Sequence, residues 1–167
     1  MYTFWVVLHI ISAGAFIGLG FGTLITNGLR KGAAGTAGEF YYMRTLLQQS
    51  RILGAIGALG VLITGAAAAG MAHLAWFAFG TLPWLAIKQT VWVIIAIVTG
   101  ALLIPRAVRA RNMIVTELTM PTVTSGASVE LKRTINQIVV VIYLIELLVI
   151  VNVILGESQA MLWATGH

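Results

Sequence analysis

FWVVLHIISAGAFIGLGFGTLIT, residues 4–26, decides the fold class. The stretch contains no Asp, Glu, Lys or Arg, and its one ionisable side chain is His9. About 20 apolar residues at 1.5 Å rise cross a ~30 Å hydrocarbon layer, and this run reaches that length. The chain therefore opens as a membrane span. His9 lies about 10 Å below one surface at ~1.5 Å per residue. An imidazole in hydrocarbon is costly without a partner, so the partner of His9 is the functional question.

The rest of the chain agrees. Its 167 residues are 59% hydrophobic and 9% charged, with mean hydropathy +0.97. A soluble domain carries about 25% charged residues, so this chain cannot cover a water-facing surface. The absence of cysteine excludes disulfides, thiolate metal sites, iron–sulfur clusters and haem attachment through Cys. The apolar run outlasts the h-region of a cleavable signal, and no basic residue precedes it. The first helix is expected to be retained.

Four apolar segments, about 4–27, 52–77, 83–105 and 134–156, predict a single transmembrane domain over 1–167: an all-α, four-helix antiparallel bundle. Backbone groups in lipid need partners within their own helix or a closed barrel, and no alternating-period strand is present. Nine of the ten basic residues fall in two connections, 28–51 and 106–133; the tenth is Lys88. The positive-inside rule makes both connections cytoplasmic and puts both termini outside. This distribution explains the sequence pI of about 10.1 without nucleic acid. Tyr2, Trp5, Trp76, Phe77, Trp84 and Trp163 then form an outer aromatic belt. Residues 38–50 read as an amphipathic extension into the second helix. Residues 112–127, with Pro121 and Gly126, read as a loop with at most short helical pieces. Ser128 reads as an N-cap, with Glu130 in the first turn that follows it.

Gly14, Gly18 and Gly22 form a small-xxx-small ridge, and the second span offers Gly54, Gly57, Gly60, Gly65 and Gly70. Such ridges let helix backbones approach in lipid, which predicts packing of the first helix on the second. On a helical wheel the ridge points roughly 140–220° away from His9. The first helix therefore needs protein on two sides, or a ligand on its histidine side. The ridge is also a surface for a homo-oligomer or another membrane subunit.

The polar residues inside the spans are His9, His73, Lys88 and Glu146, with Ser12, Gln89 and Asn152. Neutral imidazole is the usual axial ligand of haem, which makes His9 and His73 candidate metal and cofactor ligands. Each also reads as an ordinary hydrogen-bonded or hydrated histidine. Lys88 either snorkels to headgroups or directs its charge at a cofactor carboxylate or at Glu146. Glu146 sits in VIYLIELLVIV without a basic neighbour in sequence. It is a candidate proton-handling group beside Lys88 in catalysis, or a structural carboxyl, with Tyr143 one turn away as a donor. Met71, His73, Met161 and His167 offer a weaker reading as copper ligands at the outer face.

LHII at 8–11, MRTLLQQSR at 43–51, Gly65 and WLAIKQTVW at 84–92 resemble a loose group of small bacterial four-helix membrane proteins. The group includes the HemJ-type protoporphyrinogen oxidases, the CopD-like copper-resistance domain and an uncharacterised relative, to which the likeness is greatest. The resemblance covers about residues 5–110. It implies haem b, with His9 as its linked histidine and Lys88 as an essential basic residue, and a bacterial plasma membrane. The activity it implies is electron transfer or porphyrin oxidation by a protoporphyrinogen oxidoreductase. The alternative from composition is a non-enzymatic accessory subunit of a larger membrane complex.

Overall fold

The computed structural model describes residues 1–77, 79, 81–119 and 126–164, except the side chains of 52–56 and 157–164. Five helices account for nearly all of it: α1 Tyr2–Gly32, α2 Gly38–Met71, α3 Pro83–Val98, α4 Ile104–Leu118 and α5 Val129–Ala164. A π-helical turn, Thr99–Leu103, joins α3 to α4. The chain thus folds as four rods, and no strand occurs among the described residues. Tyr2–Gly32, Pro83–Leu118 and Val129–Gly156 are long and apolar enough to cross a membrane. Within α2 the described apolar part is the shorter Gly57–Met71.

Pro105 explains the π turn. In a straight α-helix its ring would strike the carbonyl four residues back and remove one hydrogen bond. Widening the preceding turn relieves that clash: the Ile104 N–H reaches back to the Thr99 carbonyl. Arg106 Nη1 donates to the Leu102 carbonyl at 2.9 Å. The helix therefore does not stop before Pro105, as the sequence pattern predicts, but runs through it to Leu118. Residues 112–118 of the expected loop thus belong to a continuous helix, while Pro121 lies outside the described residues. Ser128 caps α5 as expected, its Oγ accepting the Leu131 N–H at 3.2 Å.

The expected connection 28–51 shrinks to residues 33–37, because α2 takes in the amphipathic segment from Gly38. Gly35 turns the chain at φ +79, and Gly126 at φ +80 lies so close that a Cβ there would be 2.7 Å from Gly35 Cα. At the other end α2 stops at Met71, not near residue 77. His73 takes the left-handed conformation, φ 53. Its N–H donates to the Gly70 carbonyl and the Leu74 N–H to that of Ala69, closing the helix as a Schellman turn.

The hub of the bundle is α5. Leu131, Ile135, Ile138, Ile142, Ile145, Val149 and Asn152 are all under 4% exposed. Their alternating spacing of four and three is a coiled-coil seam. Its first half packs on Phe40, Met43 and Leu46 of α2 and on Ala110 and Ile114 of α4. Its second half meets Phe16 of α1 and Ile95 of α3. Side-chain pairings make α1 antiparallel to α2, and α5 antiparallel to α1 and α3. Tyr2, Trp5, Trp76, Phe77 and Trp84 gather at one end, hereafter the aromatic end. Arg30, Arg109, Glu130 and Lys132 gather at the other, the basic end.

The α1–α2 interface inverts the expected roles of the glycines. A Cβ built on Gly57 would fall 2.7 Å from Phe16 Cδ2, one on Gly60 2.6 Å from Ser12 Oγ, and one on Gly65 3.0 Å from His9 Cε1. The α2 glycines are hollows that receive His9, Ser12 and Phe16. Among the described residues nothing lies within 4 Å of the positions a Cβ would take at Gly14 and Gly18. Gly14 and Gly18 are exposed, and among the described residues only Gly22 of that ridge meets protein, the Gln49 side chain at 3.8 Å.

Candidate functional site

A cavity of about 700 Å³ opens at the aromatic end between α1, α2 and α3. Its wall is mostly apolar, with His9 on α1, Gly65 on α2 and Trp84, Lys88, Gln89 and Trp92 on α3. The volume falls in the range of small-molecule sites, about 300–1,000 Å³. Leu62, Val93 and Ile97 also line it and are 51%, 46% and 61% exposed. The cavity therefore opens sideways between α2 and α3, on the flank that acyl chains would cover.

His9 is held in a defined orientation. Its Nδ1 lies 3.1 Å from Thr64 Oγ1. The Thr64 hydroxyl proton is committed elsewhere, since Oγ1 donates to the Gly60 carbonyl at 2.5 Å. Oγ1 then accepts from Nδ1–H, and in that tautomer of the neutral ring Nε2 carries the lone pair. A polar neighbour that fixes the tautomer in this way is the usual support of a metal-bound histidine. Gly65 supplies the room, because the ring lies where a side chain at 65 would be. Thr64 carried no signal in sequence beyond being a hydroxyl within an apolar helix.

Lys88 shares the cavity wall with His9. Its Nζ lies where a Cβ on Gly156 of α5 would fall, 2.5 Å away. Asn152 Nδ2 donates to the Lys88 carbonyl at 3.2 Å, tying α5 to α3 here. Trp84, one turn before Lys88, has a buried indole Nε1 without a hydrogen-bond partner among the described residues. An orphaned buried donor in a cavity wall calls for an acceptor. Gln89 Oε1 accepts the Phe77 N–H at 2.6 Å and so fastens the α2–α3 connection over the cavity mouth.

The other sequence candidates lie elsewhere. His73 is exposed in the turn after α2 and does not line the cavity, so the two histidines do not share it. Glu146 is 7% exposed and rests on α1 at Gly20, whose Cβ would be 2.8 Å from its Cδ. Glu146 lies ten residues, about 15 Å of helix, from the Gly156 backbone that Lys88 touches. A Lys88–Glu146 pair is therefore not formed. Tyr143 packs on the basic-end core instead, and Glu146 Oε1 has no hydrogen-bond partner among the described residues. Of the copper candidates, Met71 and His73 are exposed, while the Met161 side chain and His167 lie outside the described residues. No three His, Cys, Asp or Glu side chains converge as a metal cluster among the described residues.

No family model, curated protein or solved structure matches the chain.

Proposed function

We propose that the protein is a membrane-embedded haem-b-binding protein serving electron transfer or porphyrin oxidation, similar in chemistry to the HemJ-type oxidases. One observation carries this reading: His9, its ring held through Nδ1 on Thr64, lines an apolar cavity that opens toward lipid. The donor set fits a flat, lipophilic dicarboxylate with a ligand-accepting centre. His9 would hold the metal through Nε2, while Lys88 and the Trp84 N–H would hold carboxylates. Bound there, haem supplies one-electron redox chemistry. The protein's own part is to orient His9, exclude water with Trp76, Trp84 and Trp92, and admit the ligand past Leu62 and Val93. By the positive-inside rule the basic end faces the cytoplasm and the cavity faces outward, with four spans in a plasma membrane.

Absorption of the detergent-purified chain, expressed with haem supply, tests the reading. A Soret band is expected, and His9→Ala is expected to remove most of it. A protein without that band under haem-replete expression overturns the proposal.

The open faces of Gly14 and Gly18 favour a second reading, association with a second copy or another membrane subunit. Gly18→Leu would then change the native mass in detergent while His9→Ala leaves it unchanged.

A further inference from the structure

At the basic end, a surface groove of about 700 Å³ runs between the start of α4 and the first turns of α5. Arg106, Lys132 and Arg133 line it, with Gln137 beside them and Val140 and Val141 deeper along α5. The charge within it is unbalanced. Lys132 Nζ is 3.2 Å from Glu39 Oε2, so one cation there is matched. Glu130, the next nearest acid in sequence, is held by Arg109 at 2.5 Å. Arg106 uses one N–H on the Leu102 carbonyl and keeps the others of its guanidinium. Arg133 has neither a hydrogen-bond nor an ion-pair partner among the described residues. Two guanidinium groups are therefore left to face an anion.

We propose that this groove binds the phosphodiester headgroup of an anionic phospholipid, with an acyl chain lying along Val140 and Val141. The proposal rests on the membrane reading of the helices but not on haem. Guanidinium forks match phosphate oxygens in pairs, more specifically than ammonium groups do. Basic pockets between spans at a cytoplasmic surface are the setting in which anionic headgroups bind. The apolar part of the groove selects lipid over free phosphate. Val140 is 66% exposed and lies eight residues, about 12 Å, beyond Lys132 toward the middle of the span. Headgroup charge and hydrocarbon are thus recognised in the order in which a phospholipid presents them.

Native mass spectrometry of the detergent-purified full chain, titrated with phosphatidylglycerol or phosphatidylcholine, tests this. Phosphatidylglycerol is expected to be retained over phosphatidylcholine. Each arginine that reaches the bound headgroup contributes about fivefold in affinity. Arg133→Gln should therefore lower phosphatidylglycerol retention about fivefold, and the Arg106→Gln/Arg133→Gln pair about 25-fold. Arg44→Gln/Arg51→Gln removes the same charge from exposed positions on α2 and should leave retention unchanged. Thermal melts in phosphatidylcholine check that each variant is folded. Equal retention of the two lipids overturns the proposal, as does equal loss in the α2 control pair. Displacement of phosphatidylglycerol by inorganic phosphate assigns the groove to a free anion and also overturns it.

Discussion

The carboxyl group of Glu146 fills the hollow left by Gly20: a Cβ at residue 20 would stand 2.8 Å from both Cγ and Cδ of Glu146. The contact joins α1 to α5 within the span, where an ionisable group is expensive. Gly20→Ala must displace the carboxyl and should destabilise the bundle by about 1–3 kcal/mol, the usual cost of overpacking. With Glu146→Ala in the background the clash is gone, so the two substitutions should couple by more than about 1 kcal/mol. Unfolding in mixed micelles measures the cycle, and strictly additive effects would contradict the contact.

His9 depends on Thr64 for its tautomer, and this makes a separate prediction. Thr64→Val keeps the shape of the side chain but removes the acceptor of Nδ1–H. Loss of such a supporting partner typically costs 10–100-fold in metal affinity. Haem titration of the Thr64→Val protein should show a loss of that order with the fold intact by circular dichroism. Thr64→Ser, which restores the hydroxyl, should recover most of the affinity. Wild-type affinity in Thr64→Val would mean that the Thr64 contact does not support His9 as a ligand.

The class of fold was legible because hydropathy is a one-dimensional property: the first, third and fourth apolar segments fall within the three helices long enough to span a membrane. Their ends were less so. Pro105 reads as a stop in sequence, but a π turn and the Arg106 side chain accommodate it. Met71–Phe77 reads as apolar helix, but left-handed His73 ends it. The small-residue ridge was visible, and its direction was not. Gly14 and Gly18 resemble packing glycines, yet the hollows that close α1 on α2 are Gly57, Gly60 and Gly65. Direction depends on how far α2 slides along α1, which neither helix encodes alone. On the helical wheel the side of α1 that carries His9 was left open between protein and a ligand, and α2 lies there. Lys88 and His9 were assigned to the same end and share a cavity, while Glu146 and His73 lie outside it.

The two ion pairs at the basic end should behave differently. The Glu39 side chain is 2% exposed and accepts from both Lys132 and the Gly35 N–H. Arg109 and Glu130 are 64% and 63% exposed. Removing one partner of a buried pair leaves an uncompensated charge and costs about 3–5 kcal/mol. Lys132→Ala leaves the Glu39 carboxylate buried with only the Gly35 N–H, and because Lys132 itself is only partly buried it should cost near the lower end, about 3 kcal/mol. Arg109→Ala should cost less than about 1 kcal/mol, because solvent screens exposed pairs. Raising the salt concentration should erase the smaller effect and leave most of the larger one. Equal losses for the two variants would place Glu39 in solvent.

The glycine hollows lead to opposite expectations for two substitutions of the same kind. A Cβ on Gly57 would press within 3.0 Å of the Phe16 backbone as well as its ring. Backbone cannot rotate aside, so Gly57→Ala must part α1 from α2 and should cost about 2 kcal/mol, within the range for overpacking. Gly18 meets no described atom at the same point, and alanine is the better helix former by about 1 kcal/mol. Gly18→Ala should therefore be neutral or stabilising in the monomer. Melting of both variants beside wild type checks the contrast. If Gly18→Ala instead destabilises the protein at high concentration and not at low, the ridge is filled by another copy of the chain, because only a concentration-dependent partner can supply contacts that the single chain lacks.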